Sequence, residues 1–354
     1  MSAAHRAAMR QQADACERLG SPFTARLLRL IGDRLDGGTA VGARVLGWPG
    51  DPLTTGDAVA LRLAGGLHAL VLSGANDALA QVYANPAALS DETLWQAVAH
   101  ALQAHDAHLQ HWLDSPPQTN EPARSAVLIA AGHWLAARFG LELELSELGA
   151  SAGLNLRWDR YALEVQGQRF GPAAAALTLR PDWSGPLPPA TAPRIAGRAG
   201  VDLNPLDTTR DRLRILSYVW ADQGARLARM RAALDLAATM PVAVAQGDAA
   251  AWLERRLDAR RPGVLHLVYH TVVWQYFPPA TDRRARAAMA RAGAAGPLAR
   301  LGMEQDSSGQ PGAAIWLDLW PGGRVDLGRA DFHGRWLDWR APAPDTPLQA
   351  HDPL

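Results

Sequence analysis

The sequence predicts a doubly wound α/β domain preceded by an all-helical one, and three observations carry that reading. Residues 1–140 hold one capped, helix-like segment after another. Residues 141–148 (LELELSEL) switch to period-two alternation and run into a turn of small residues, GASAG at 149–153. Beyond that turn, strand-like and helix-like segments alternate almost to the end.

Length and composition set the frame. A chain of 354 residues suits two domains, or one large domain with an appended one. Hydrophobic residues make up 48% and charged residues 20%, which is a globular composition. The 35 basic and 35 acidic residues give a formal net charge of zero, which argues against a nucleic-acid partner held by a broad basic face. All 35 basic residues are arginine, so lysine Schiff-base chemistry and a Walker-A lysine are excluded. Cys16 is the sole cysteine, which excludes an internal disulfide and a cysteine zinc cluster and fits a reducing cytoplasm. The first 30 residues lack the apolar core of a signal peptide, and no run reaches about 18 apolar residues. The expectation is a cytoplasmic chain with no membrane span.

In the N-terminal domain, residues 1–140, helices are expected over 3–19, Pro22–Leu35, Asp57–Ser73 with Asp57 as N-cap, and Asn76–Ala84. Two more follow, Asp91–Leu113 capped by Ser90, and Glu121–Phe139 ended by Gly140. Residues 41–56 hold four glycines and two prolines and read as a loop. His100, His105, His108 and His111 share the Asp91–Leu113 helix. His100 and His111 would lie about 16 Å apart along its axis, so a polar surface or a substrate-facing wall is expected there and no metal.

The α/β domain is expected over 141–340. Arg160–Phe170 reads as a hairpin opening an insertion at 160–193, which must loop out for Arg194–Asp202 to be the second parallel strand. Thr208–Ala238 reads as one long helix or a pair, and Val242–Ala245 as a short buried strand. Gly263–Val268 reads as a central parallel strand that brings Tyr269, His270 and Thr271 to the carboxyl edge, where such sheets bind ligands. An exposed helix at Asp282–Ala292 precedes strands at Leu298–Glu304, Ala313–Trp320 and Arg329–Trp339, with Pro321-Gly322-Gly323 between the last two. Residues 341–354 read as a flexible tail.

One stretch carries the chemistry. Glu147-Leu148-Gly149-x-Ser151-x-Gly153 is similar to the glycine-rich cofactor loop of class I S-adenosylmethionine-dependent methyltransferases, with Ser151 standing where a middle glycine is usual. Gly200-Val201-Asp202-Leu203-Asn204-Pro205 and Gln246-Gly247-Asp248-Ala249 extend the resemblance. It implies a Rossmann-like, seven-stranded, methyltransferase-type sheet closed by an antiparallel strand, with S-adenosylmethionine as cofactor. Gly149 to Gly153, with Ser151 among them, would hold the methionine part, with Glu147 near its amino group, Asp202 on the ribose, Asp248 on the adenine and Asn155 as a further cofactor-binding residue. The methyl would pass to a small-molecule substrate under the helical cap, with His270 as general base and Tyr269 beside it as catalytic candidates. The N/D-P-P-Y pattern of amino-group methylation is absent. The full pattern, with Asp57-Ala58-Val59, Gly66-Leu67-His68 and Val71-Leu72-Ser73-Gly74, also resembles a bacterial family of unknown function.

Two other readings stay open. Gly149-Ala150-Ser151-Ala152-Gly153 fits the G-x-S-x-G elbow of α/β-hydrolases, with Ser151 as nucleophile and Asp318 or Asp326 and His333 downstream. Against it, helices rather than strands precede the elbow. The third reading is a non-catalytic binding protein on a decayed methyltransferase core.

Overall fold

The computed structural model describes residues 3–118 and 120–348. Its elements begin with α1 (Ala3–Arg18), α2 (Pro22–Arg34), α3 (Ala40–Leu46), α4 (Val59–Leu72), α5 (Asp77–Ala84), α6 (Asp91–Ala104), α7 (Asp106–Leu113) and α8 (Ser125–Phe139). Next come β1 (Glu142–Leu148), β2 (Ala162–Val165), β3 (Gln168–Phe170), β4 (Thr178–Leu179), β5 (Asp182–Ser184), β6 (Ile195–Asp202), α9 (Arg212–Ser217) and α10 (Gly224–Thr239). The chain closes with β7 (Val244–Gln246), α11 (Ala249–Asp258), β8 (Val264–Thr271), α12 (Pro279–Ala294), β9 (Leu298–Glu304), β10 (Ala313–Trp320), β11 (Gly323–Ala330) and β12 (Trp336–Trp339). Two compact units form: Met1–Thr119 with Thr209–Arg231, and Asn120–Thr208 with Ala232–Leu354. The N-terminal region is thus helical and a mixed α/β domain follows. Among the described residues, no helix is long and apolar enough to cross a membrane.

The first unit is built around α4, which is buried along most of its length. Its glycines admit large neighbours: a Cβ on Gly65 would lie 2.6 Å from the Tyr218 ring, and one on Gly66 2.9 Å from Leu109. Leu27, Leu28, Ile31, Leu63, Leu67, Val98 and Leu109 fill the core. Three sequence expectations change here. The 41–56 loop contains α3, whose start is capped by Thr39 accepting from Gly42 N–H at 3.0 Å. Asp57 is no N-cap; α4 starts after Ala58 at φ 52°, and Asp57 accepts the Trp48 indole N–H at 2.8 Å. The expected 91–113 helix breaks at His105, whose φ of −122° leaves the helical region. Cys16 is buried and its thiol is pushed up to about 11 by desolvation, so it stays protonated at neutral pH.

The second unit centres on a nine-stranded sheet ordered β5-β12-β11-β10-β9-β8-β1-β6-β7, beside a small sheet β3-β2-β4. Nine strands replace the seven expected. Strands β7, β6, β1, β8 and β9 are parallel, while β9 to β12 form an antiparallel meander and β5 adds parallel to β12. The two additions are β12, split from the expected 329–339 strand where the chain turns at residues 331–335, and β5 from the insertion. The rest of the insertion folds into the small sheet, which leaves β6 free to pair with β1. The expected buried strand at 242–245 sits at 244–246 and is only half-buried, because β7 is the sheet's last strand.

Leu253, Leu257, Ala285, Ala288 and Met289 of α11 and α12 pack with Leu148, Val201 and Val268. The α12 arginines therefore occupy one face of a helix whose other face is buried. Helix α8 ends at Gly140, φ 64°, as expected. The chain after β12 is held to α8: Trp134 donates to Pro342 O at 2.7 Å and Arg138 to Pro344 O at 2.6 Å. The tail expected to be flexible over 341–354 is thus held to α8 through its described part, and residues 349–354 lie outside the described residues.

Candidate functional site

The strand order reverses at β1. From β1 the chain builds β6 and β7 on one side, then crosses to build β8 and β9 on the other. Such a reversal leaves a gap between the helices that follow the two halves, and open sheets bind ligands there.

The turn after β1 is tight and left-handed. Gly149, Ser151 and Gly153 have φ of 69°, 50° and 65°. Gly149 is required twice over, since its Cβ would lie 2.4 Å from Val273 Cγ2. Gly149 and Ala150 donate their N–H groups to Val201 O at 2.9 and 3.0 Å. Ser151 N–H donates to Asp202 Oδ2 and Asn204 N–H to Asp202 Oδ1, both at 2.8 Å. Asp202, expected as a ribose ligand, thus clamps two loops with one lone pair from each oxygen.

Glu147, at the end of β1, is 2% exposed, and its Oε2 has no hydrogen-bond partner. Burial pushes its carboxyl well above the usual range; nearby Asp202 adds to this, and Arg124 and Arg157 oppose it. Ser151 Oγ is also buried without a partner. Around them, Asn155 joins three elements: its Oδ1 accepts from Ser125 at 2.8 Å and its carbonyl accepts the Tyr269 hydroxyl at 3.2 Å. Asn120 Oδ1 accepts Leu154 N–H at 2.9 Å. Arg124 donates to Phe332 O at 2.8 Å and to Thr271 O at 3.0 Å.

His270, expected as a proton acceptor, has both ring nitrogens engaged. It is fully buried, with Nδ1 2.7 Å from Glu304 Oε1 and Nε2 accepting from Arg300 Nε at 3.1 Å. That pairing describes a neutral ring protonated at Nδ1, and burial lowers its pKa in the same sense. Glu304 Oε1 also accepts Val273 and Trp274 N–H at 3.0 and 3.1 Å. The pair therefore holds the turn in which Val272 takes φ 57°, a costly value for a β-branched residue. Val273 of that turn is the residue seated over Gly149. The Tyr269 phenol is buried, pushed far above its usual range by desolvation, and bound to a backbone carbonyl.

Asp248 caps α11 by accepting Ala251 N–H at 2.8 Å, and its other oxygen accepts Thr281 Oγ1 at 2.7 Å. The acidic and nucleophilic candidates of the hydrolase reading have the following surroundings. Ser151 Oγ has no partner, Asp318 is held by Arg324, Arg300 and Trp316, and Asp326 accepts Gly328 N–H. Among the described residues, no three His, Cys, Asp or Glu groups converge as a metal site. His108 stacks on Trp112 with ring centroids 4.5 Å apart. Sequence reading missed Asn120, Arg124, Arg300 and Glu304; for the last two the available signal was a pair of charges within the otherwise apolar strand β9, where both are buried.

Over residues 6–339 the chain matches the family described as uncharacterized protein conserved in bacteria (DUF2332). The chain belongs to that family. The resemblance to a bacterial family of unknown function therefore holds, and the match takes in sequence from both units. Comparison with curated proteins and with solved structures gave no match.

Proposed function

We propose that the second unit binds S-adenosylmethionine at the carboxyl end of β1 and that the chain methylates a small-molecule acceptor. One observation carries the reading: a buried glutamate with an unpartnered oxygen, Glu147, at the strand-order reversal. A buried carboxylate without a partner is costly, and a cationic ligand removes that cost. The parallel order β7-β6-β1-β8-β9, the glycine-rich turn, the acidic end of β6 and Asp248 shortly after β7 support the same reading.

The residues present fit such a cofactor. Glu147 would face its ammonium group, Gly149 and Gly153 would let it approach the backbone, and Asp202 would offer its remaining lone pairs to the ribose. Asp248, already a helix cap, would meet the adenine through an unused lone pair. When bound, the cofactor supplies an electrophilic methyl on a sulfonium. The chain's part is to position the acceptor and exclude water. Neither His270 nor Tyr269 has a free proton-accepting atom, so the proposal assigns them a structural part and names no general base.

Calorimetric titration with S-adenosylmethionine and S-adenosylhomocysteine tests this. Micromolar binding weakened at least tenfold by Glu147→Gln is expected; no binding by folded protein sinks it. One observation favours a second reading, Ser151 at positive φ in a G-x-S-x-G turn. Ser151→Ala decides: it should spare cofactor binding, whereas loss of an ester-hydrolase activity would favour the hydrolase.

A further inference from the structure

The first unit holds a cavity of about 440 Å³, lined by Trp112, Tyr218, Leu213, Arg210, Asp211 and Arg214 among others. Its size is that of small-molecule sites generally. The walls are fixed. Trp112 donates its indole N–H to Ser217 Oγ at 3.3 Å and stacks on His108. Tyr218 donates its hydroxyl to Ser115 O at 3.2 Å, with its ring against Gly65. With their polar atoms already bonded, these residues offer an occupant ring surface alone.

The charge in the lining is specific. Arg210 pairs with Asp211 at 3.1 Å. Arg214 donates to Pro116 O through Nη2 at 3.3 Å, while its Nε is buried with no hydrogen-bond partner. A buried donor left unmade is costly, and a guanidinium offers Nε and an adjacent nitrogen as a fork that matches a carboxylate. One uncompensated positive charge calls for a monoanion rather than a phosphate dianion.

We propose that this cavity binds a small aromatic or cyclic monocarboxylate, its ring between Trp112 and Tyr218 and its carboxylate on Arg214. This site is independent of the cofactor reading of the second unit. Benzoate, benzamide and phenyl phosphate would be titrated into the full chain by ligand-observed NMR and calorimetry. Benzoate should bind, benzamide at least tenfold more weakly, and phenyl phosphate no better than benzoate. Arg214→Gln should weaken benzoate at least tenfold with thermal unfolding unchanged. Leu213→Trp fills the cavity without removing a charge and should abolish binding even if Arg214→Gln fails to fold. Benzoate that fails to bind the wild type, or that binds Leu213→Trp at wild-type affinity, overturns the site; tighter binding of phenyl phosphate overturns the monocarboxylate assignment.

Discussion

Asp202 Oδ2 accepts the Ser151 backbone N–H at 2.8 Å, so the carboxylate ending β6 fixes the turn that follows β1. Its other oxygen fixes Asn204 in the same way. Two adjacent parallel strands therefore share one clamp at their carboxyl ends. Asp202→Ala removes both charge-assisted bonds and should cost about 1–3 kcal/mol. Asp202→Asn, keeping one acceptor, should cost less. Urea unfolding of both variants measures the difference, and equal stability of all three proteins would remove the clamp from the account.

Gly149→Ala adds a methyl 2.4 Å from Val273 at a φ of 69°. The strain and the clash together should cost about 2 kcal/mol or more. Val273→Ala in the same chain relieves only the clash, so the double variant should recover part of the loss. A double-mutant cycle reads that coupling; a coupling near zero would mean the two turns do not bear on each other.

Glu147 links stability to pH. Its folded pKa lies above its ordinary value near 4.5, so the protonated form favours the fold. That contribution is complete below the unfolded value and is lost as pH rises through the folded one. Glu147→Gln should flatten the fall in stability over that window. A cationic ligand should expel the proton, so cofactor affinity should rise with pH across the same range, and binding enthalpy should vary with the ionisation enthalpy of the buffer.

His266 works in the opposite sense. Burial lowers it from 6.5 to about 4, its Nε2 lying 2.8 Å from Ser146 Oγ. Its neutral form favours the fold, so the contribution is present above 6.5 and is lost as pH falls towards 4. The shift corresponds to about 3 kcal/mol. His270 is lowered as well, so His266→Gln should reduce the acid sensitivity between pH 7 and 4.5 without abolishing it. An unchanged pH profile would contradict the assignment.

His270→Ala separates a strut from a base. Removing the ring leaves Glu304 and Arg300 buried without it, and breaking such a contact should cost about 3–5 kcal/mol. Loss of the acid limb of a pH–rate profile, with stability intact, would restore the proton-acceptor role.

What could be read beforehand was local. Asn76, Ser90 and Asp248 announce helix starts because the capping oxygen and the N–H it accepts lie three residues apart. Glu147 and Asp202 stand beside the glycine-rich turn and at a strand end, so a short motif marks them. Helix α3 escaped because Thr39 caps it within a glycine-rich stretch. Strands β5 and β12 are short and find their neighbours only in three dimensions. Arg124 and Glu304 escaped for the same reason: Arg124 bonds carbonyls 147 and 208 residues away, and Glu304 bonds a histidine 34 residues before it. The neighbours of His270, Glu304 and Arg300, are likewise invisible in the chain.

The helical unit takes its last segment, Thr209–Arg231, from between β6 and β7. The polypeptide consequently passes from one unit to the other three times, near residues 119, 208 and 231. A single proteolytic nick at any one of these passages leaves the halves covalently joined through the other two. A fragment ending before β1 would lack α9, together with the Tyr218 ring that fills the notch at Gly65. Neither half can be excised with one cut, and gene fusions or truncations that treat this chain as two beads on a string will break both beads.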